Sequence, residues 1–230
     1  MFPLGDENPT RSRPFFLYTI IVINVLVFGR EILLGKAAEA FIHDYAIIPW
    51  NASHHAIGTA IPPFLTLFTS MFLHGGFGHI LGNLWFLYLF GDNIEDTIGH
   101  FRFLIFYLVC GMAAGLLQIF LDPSSQMPVI GASGAISGVL GGYILLFPRI
   151  RIRTLIVLGF FFDVVRIPAV FFLGLWFLMQ ALGLFGPQTG VAFGAHIGGF
   201  VVGMLSIWCL TRKQGLAPAS RFESRRIPRF

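Results

Sequence analysis

The sequence predicts an all-α membrane protein, a bundle of six transmembrane helices with a long, partly interfacial first loop. Three observations carry that reading. Hydrophobic residues make up 56% of the 230-residue chain and charged residues only 11%, against about 25% charged in a typical soluble domain. The apolar residues gather into runs near the length of about 20 residues that hydrocarbon about 30 Å thick requires. Basic residues stand at the ends of those runs and not on one soluble face. The formal charge of +4 therefore reads as membrane topology and excludes a nucleic-acid partner.

The elements follow in order. Residues 1–13 are polar and form an N-terminal segment. Span one runs from Phe15 to Val27 and extends toward Leu34; without a cleavage site it reads as a retained span, not a signal peptide. Residues 35–75, broken by Pro49, Pro62 and Pro63, make the long first loop. Span two covers Gly76 to Asp92, and GDNIEDTIGHFR after it reads as a short polar loop. Span three covers Phe103 to Leu121 and is broken by Asp122-Pro123. Span four covers Ile130 to Phe147 and is stopped by Pro148. The apolar stretch Thr154 to Phe162 is too short to cross and is expected at the interface. Span five starts at Pro168, a good first helical residue, and runs to Phe185. Span six covers Val191 to Leu210. The domain plan is thus a segment 1–13, a six-span unit 14–211 and a basic tail 212–230. Six spans put both termini on one side. With that side cytoplasmic, thirteen of the fifteen Lys and Arg are cytoplasmic, and only Arg30 and Lys36 fall outside, as the positive-inside rule asks.

A polar side chain in hydrocarbon needs a partner or a role. Four stand out: His79 and Asn83 in span two, Ser133 in span four and His196 in span six. Spans two, four and six run in the same direction, and His79, Ser133 and His196 each fall in the first turns of their span, so they lie at similar depth. Gly134, Gly138 and Gly142 recur every four residues, with Ser133, Ser137 and Gly141 as an adjacent small stripe. Span six carries Gly199 and Gly203, and His196 shares their face. Small faces let helices approach closely, so packing of spans four and six through Gly134, Gly138, Gly199 and Gly203 brings His196 to Ser133. Serine becomes a nucleophile only with a base in reach and donors for the developing oxyanion. His196 is the candidate base. His79, Asn83 and the Ser133 amide are the candidate donors. No acidic residue is placed to complete a triad, so the reading is a Ser-His dyad.

Other chemistries lack their residues. There is no HExxH for a metalloprotease, and Asp92, Asp122 and Asp163 sit at segment ends, not in pairs within spans. His54-His55 is a loop pair without a ligand set. Cys110 and Cys209 read as small core residues. No metal and no cofactor is implied.

The chain resembles the rhomboid family of intramembrane serine proteases. FTSMFLHGGFGHILGNLWFLYLFGDNIED (68–96) carries the family's H-x-x-x-N pattern at His79 and Asn83. GHFRFLIFYLVCGMAAG (99–115) resembles its third span, GASG (131–134) its G-x-S-G nucleophile motif, and AHIGGFVVG (195–203) its base motif. The resemblance covers residues 14–211. It implies that Ser133 attacks a peptide carbonyl, that His196 takes the proton, and that His79, Asn83 and the Ser133 amide hold the oxyanion. It also implies transmembrane protein substrates, cleaved in the bilayer near its outer face, and a multi-pass protein of a bacterial inner membrane with cytoplasmic termini. Two positions depart from the pattern. Leu65-Thr66 stands where many members carry Trp-Arg. Ser137 stands where some place an aromatic against the base, so the imidazole is expected to be oriented otherwise, by Ser137 or by water. Two other classes are weighed. A non-catalytic rhomboid-like protein that escorts membrane helices would lack Ser133 or His196. A small transporter would show paired ionisable groups within spans or an internal repeat.

Overall fold

Proline and glycine cut this apolar chain into helices. The computed structural model describes residues 1–54, 60–159, 161–187 and 189–213. His55 and the tail residues Arg221, Arg225, Arg226 and Arg229 lie outside the described residues. A short strand β1 (Phe2–Asp6) precedes α1 (Phe15–Leu34), which ends at Gly35. The first loop is folded into short helices: α2 (Ala38–Tyr45), α3 (Pro49–Ser53) and α4 (Pro63–Thr69). Proline opens both α3 and α4, where its missing N–H costs nothing. Then come α5 (Phe77–Ile98), α6 (His100–Leu121), α7 (Ser133–Leu146), the strands β2 (Arg151–Leu158) and β3 (Phe161–Pro168), α8 (Ala169–Gly183) and α9 (Phe193–Lys213).

The chain is an integral membrane protein. Phe15–Tyr45, His100–Leu121 and Phe193–Arg212 are long and apolar enough to cross a bilayer, and Pro63–Phe72 with Phe77–Ile98 makes a fourth apolar unit bent by 83°. The two remaining apolar helices, α7 and α8, are shorter, at 14 and 15 residues. At 1.5 Å per residue α7 is about 21 Å long, less than the hydrocarbon thickness. It sits at the centre of the bundle, buried from Gly134 to Tyr143, with α5, α6, α8 and α9 packed around it. Large apolar side chains on the outer helices, such as Leu26, Phe101 and Phe171, are exposed on the bundle's flank. On a soluble protein that would be an unmatched apolar surface; here it meets lipid.

Four features differ from expectation. First, the run 130–147 is not helical throughout. Val129 and Ile47 exchange both backbone hydrogen bonds (2.8 and 3.2 Å), the Gly131 N–H donates to the Ser70 carbonyl (2.9 Å), and Gly131 turns the chain at φ 113°. The segment before Ser133 is thus stitched to the first loop, and hydropathy cannot register a dihedral. Second, GDNIEDT is no loop but the last two turns of α5. Its buried Glu95 accepts the Phe16 and Leu17 N–H groups at 2.9 and 2.7 Å, donors that the first turn of α1 would otherwise leave unpaired. Third, 154–162 is not a simple interfacial stretch. It belongs to a hairpin that joins β1 in a three-stranded antiparallel sheet, order β1-β2-β3, with Arg151 opposite Pro168 and Leu158 opposite Phe161. The sheet is an appendage to a helical bundle. It also recruits the N-terminal segment: Asp6 accepts a 2.5 Å hydrogen bond from the Tyr143 hydroxyl of α7. Burial pushes the Asp6 carboxyl up to about 6, although that hydrogen bond and Arg153 pull the other way. Fourth, Cys110 is buried as a core residue but Cys209 is exposed on α9; its helix turns that position outward.

Candidate active site

The N-terminal ends of α5, α7 and α9 meet at one end of the bundle. Ser133 is the first residue of α7, His79 the third of α5 and His196 the fourth of α9. The Ser133 hydroxyl oxygen and His196 Nε2 lie 2.8 Å apart, in hydrogen-bond contact. What allows this is the approach of two backbones. A Cβ on Gly199 would lie 1.9 Å from the Gly134 carbonyl oxygen, one on Gly203 2.0 Å from that of Gly138, and one on Gly141 2.1 Å from that of Phe200. Gly138 and Gly134 also receive α6: an added Cβ would meet Cys110 Cβ at 2.4 Å and Ala114 Cβ at 2.6 Å respectively. Helix α9 is further held from α6, where Gln118 accepts the Ala195 N–H at 3.2 Å.

Beside Ser133 lies a cluster of donors. His79 and Asn83 share one face of α5 at the i, i+4 spacing. The Gly75 N–H donates to His79 Nδ1 at 3.3 Å. A backbone N–H can only donate, so the Nδ1 accepts and Nε2 carries the proton. That Nε2 points at Gly131, where a Cβ would come within 2.6 Å of it and 3.4 Å of Asn83 Nδ2. Gly131 is therefore required twice, for its φ of 113° and for the space it leaves. Asn83 Nδ2 is buried with no hydrogen-bond partner, one of seven such side-chain atoms among the described residues, and Asn83 is the one of those residues that lines the cavity. The Ser133 N–H, at a helix N-terminus, has no intrahelical acceptor either. These groups line a cavity of about 760 Å³ with His196 and Trp176. A hydroxyl held on an imidazole nitrogen beside unpaired donors is the equipment for attack on an acyl carbon. Among the described residues no group of three or more His, Cys, Asp or Glu is arranged to hold a metal.

The surroundings of His196 differ from expectation. Ser137 does not orient the imidazole; its hydroxyl donates to the Ser133 carbonyl at 2.6 Å, one turn back on its own helix. Instead His196 Nδ1 lies within hydrogen-bond distance, 2.8 Å, of Gln180 Oε1 of α8, and the Trp176 ring lies 5.9 Å from the imidazole, centroid to centroid. Gln180 was missed by sequence reasoning, although a lone amide within the apolar run WFLMQALG was a legible signal. Glu31 was missed too. It is buried on α1 and accepts the His74 N–H at 3.1 Å, fixing the segment that leads into α5. At the Leu65-Thr66 pair, which departs from the family pattern, Thr66 is buried and its hydroxyl donates to the Pro63 carbonyl at 2.6 Å, while Leu65 is exposed. The loop is anchored instead by the Ile47–Val129 pair and by Thr69 on the Tyr45 carbonyl at 2.6 Å.

Comparison with known proteins bears on the same region. The family model of the rhomboid domain matches residues 63–213. The chain is 29% identical to Rhomboid-like protein 11, chloroplastic, of Arabidopsis thaliana, over 90% of this chain and 69% of that protein. It is 29% identical to rhomboid protease GluP of Bacillus subtilis, over 81% of this chain and 38% of that one. With rhomboid protease GlpG of Haemophilus influenzae the identity is 33%, over 55% of this chain and 59% of that one. The chain thus spans about two thirds of the plant relative and less of both bacterial proteases.

Proposed function

From the premise that the chain belongs to the rhomboid family, which includes serine intramembrane proteases, we propose that it is an intramembrane serine endopeptidase working through a Ser133-His196 dyad. The observation that carries this reading is the 2.8 Å hydrogen bond from Ser133 Oγ to His196 Nε2 at the wall of a cavity lined with unpaired donors. Ser133 Oγ attacks the carbonyl carbon of a substrate peptide bond as His196 Nε2 takes its proton. The carbonyl oxygen gains negative charge and is received by Asn83 Nδ2, His79 Nε2 and the Ser133 N–H. His196 then passes the proton to the leaving amine, and the acyl group remains on Ser133. Water, activated by His196 in the same way, releases it.

The geometry suits substrates that are themselves membrane helices. Because α7 is short, Ser133 begins below the level that a full span would reach, and the cavity above it can admit both water and an unwound substrate segment. Six spans with both termini cytoplasmic fit the distribution of Lys and Arg, and that orientation puts cleavage near the outer face; the membrane we propose is a bacterial inner membrane, the setting of two bacterial relatives being the support for it. The segments 1–13, 14–211 and 212–230 divide the chain into an N-terminal segment, a catalytic unit and a basic tail. The alternative is a non-catalytic rhomboid-like protein that escorts membrane helices; Asn83, buried with an unpaired amide nitrogen, favours the enzyme.

The test is labelling by a fluorophosphonate together with cleavage of a model transmembrane substrate in liposomes. Ser133→Ala and His196→Ala each abolish both signals while thermal unfolding stays near that of the parent. Cleavage that persists in Ser133→Ala would remove the dyad assignment.

A further inference from the structure

A neutral imidazole serves as a base only in one of its two tautomers. Ser133 needs a lone pair on His196 Nε2, so the proton must sit on Nδ1. We infer that Gln180 is the positioning residue that holds His196 in that tautomer, an assignment that rests on the protease reading for its consequence but not for its geometry.

The argument turns on which end of the Gln180 amide faces the ring. Oxygen and nitrogen of an amide are told apart by their partners. The Gln180 nitrogen lies 3.3 Å from the Trp176 carbonyl oxygen, one turn back on α8. A carbonyl can only accept, so the nitrogen belongs there, and the oxygen is left at 2.8 Å from His196 Nδ1. An amide oxygen can only accept, so Nδ1 must carry the proton. The lone pair is then on Nε2, where the Ser133 hydroxyl meets it at 2.8 Å. Were the amide reversed, its N–H would demand a lone pair on Nδ1, and Nε2–H would face Ser133 as a donor that cannot take a proton. Trp176 serves twice: its carbonyl sets the amide, and its ring lies 5.9 Å from the imidazole at a tilt of 32°. No acidic residue is involved. A neutral amide fixes the tautomer without adding a buried charge, which in a largely apolar site would carry a heavy desolvation cost.

The test compares the parent with Gln180→Leu and Gln180→Glu in detergent. Nitrogen chemical shifts of ¹⁵N-histidine, assigned with His196→Ala, report the tautomer directly. The parent shows Nδ1–H. Gln180→Leu shows a mixture, and its kcat falls roughly 10- to 100-fold, by analogy with metal-bound histidines that lose the partner of their other ring nitrogen, with KM little changed. Gln180→Glu keeps an acceptor at Nδ1, so it keeps the Nδ1–H tautomer. Its carboxylate also favours the protonated ring, so the acid limb of its pH–kcat/KM profile moves to higher pH. A side chain that only packs would alter thermal stability and move neither the tautomer nor the acid limb. Retention of Nδ1–H and of parental kcat in Gln180→Leu overturns the assignment; if that variant does not fold, an unmoved acid limb in Gln180→Glu overturns it. If the parent cleaves nothing, the protease reading falls, and the tautomer spectra still decide the role of Gln180.

Discussion

Gly199→Ala adds one methyl group at the tightest point between α7 and α9. The new carbon would stand 1.9 Å from the Gly134 carbonyl oxygen, and real Cβ contacts essentially never fall below 3.0 Å. The obstacle is backbone in the middle of a buried helix, so no side chain can rotate away. Helix α9 must retreat locally by about 1 Å, and interiors packed to crystal density do not absorb that elsewhere. Overpacking of this kind costs about 1–3 kcal/mol, and a backbone obstacle puts Gly199→Ala near the upper end. His196 lies three residues earlier on the same face. A retreat of about 1 Å stretches its 2.8 Å contact with Ser133 to about 3.8 Å, beyond hydrogen-bond range. Misplacement by that much costs roughly 100-fold in turnover. The assay is substrate cleavage in liposomes with thermal unfolding in detergent alongside. Gly174→Ala is the control: nothing lies within 4 Å of a Cβ at that position of α8, and alanine favours helix over glycine by about 1 kcal/mol. A Gly199→Ala protein that unfolds and cleaves like Gly174→Ala would refute the argument that backbone approach delivers the base.

Two further outcomes are expected. Asn83→Ala lowers kcat by about 10²–10³-fold, the loss of one oxyanion donor, and leaves thermal stability nearly unchanged because its amide nitrogen bonds nothing in the resting fold; a lower unfolding temperature with unchanged kcat would show a structural role instead. Asp6 makes stability depend on pH. Its carboxyl rises from 3.8 to about 6 on folding, so the folded state favours the neutral acid. The contribution is complete below about pH 4 and is lost as pH rises through about 6. Two units correspond to about 3 kcal/mol. Thermal unfolding from pH 4 to 8 should show the decline, and Asp6→Asn should make it shallower; an unchanged slope in Asp6→Asn would assign the effect to another group.

What was legible in the sequence, and what was not, follows from where each group's partner lies. Ser133, His196, His79 and Asn83 stand out because a polar atom in hydrocarbon is costly and because glycine spacing on two helices says which faces can meet. Glu95 is equally costly to bury, yet it read as part of a loop, since the N–H groups it satisfies lie almost eighty residues away. The sheet was hidden in the same way. Eight β-rich residues on either side of Gly159 are a hairpin signal, but the strand that pairs with β2 is at the other end of the chain. Nor is polarity within a span by itself a sign of chemistry. Asn24 is fully buried in α1; its amide nitrogen donates to the Ile20 carbonyl of its own helix at 2.7 Å, and its oxygen has no partner but lies away from the cavity. Gln180 does the same with Trp176 through its nitrogen. The difference between them is the other end of the amide: Gln180 aims its oxygen at the ring that faces Ser133, and that distinction lies in the packing of α8 on α9, which no local pattern encodes. Buried polar residues in a membrane chain are therefore best ranked by whether their own backbone satisfies them in full, and the ones left with an atom to spare beside a cavity are those to mutate first.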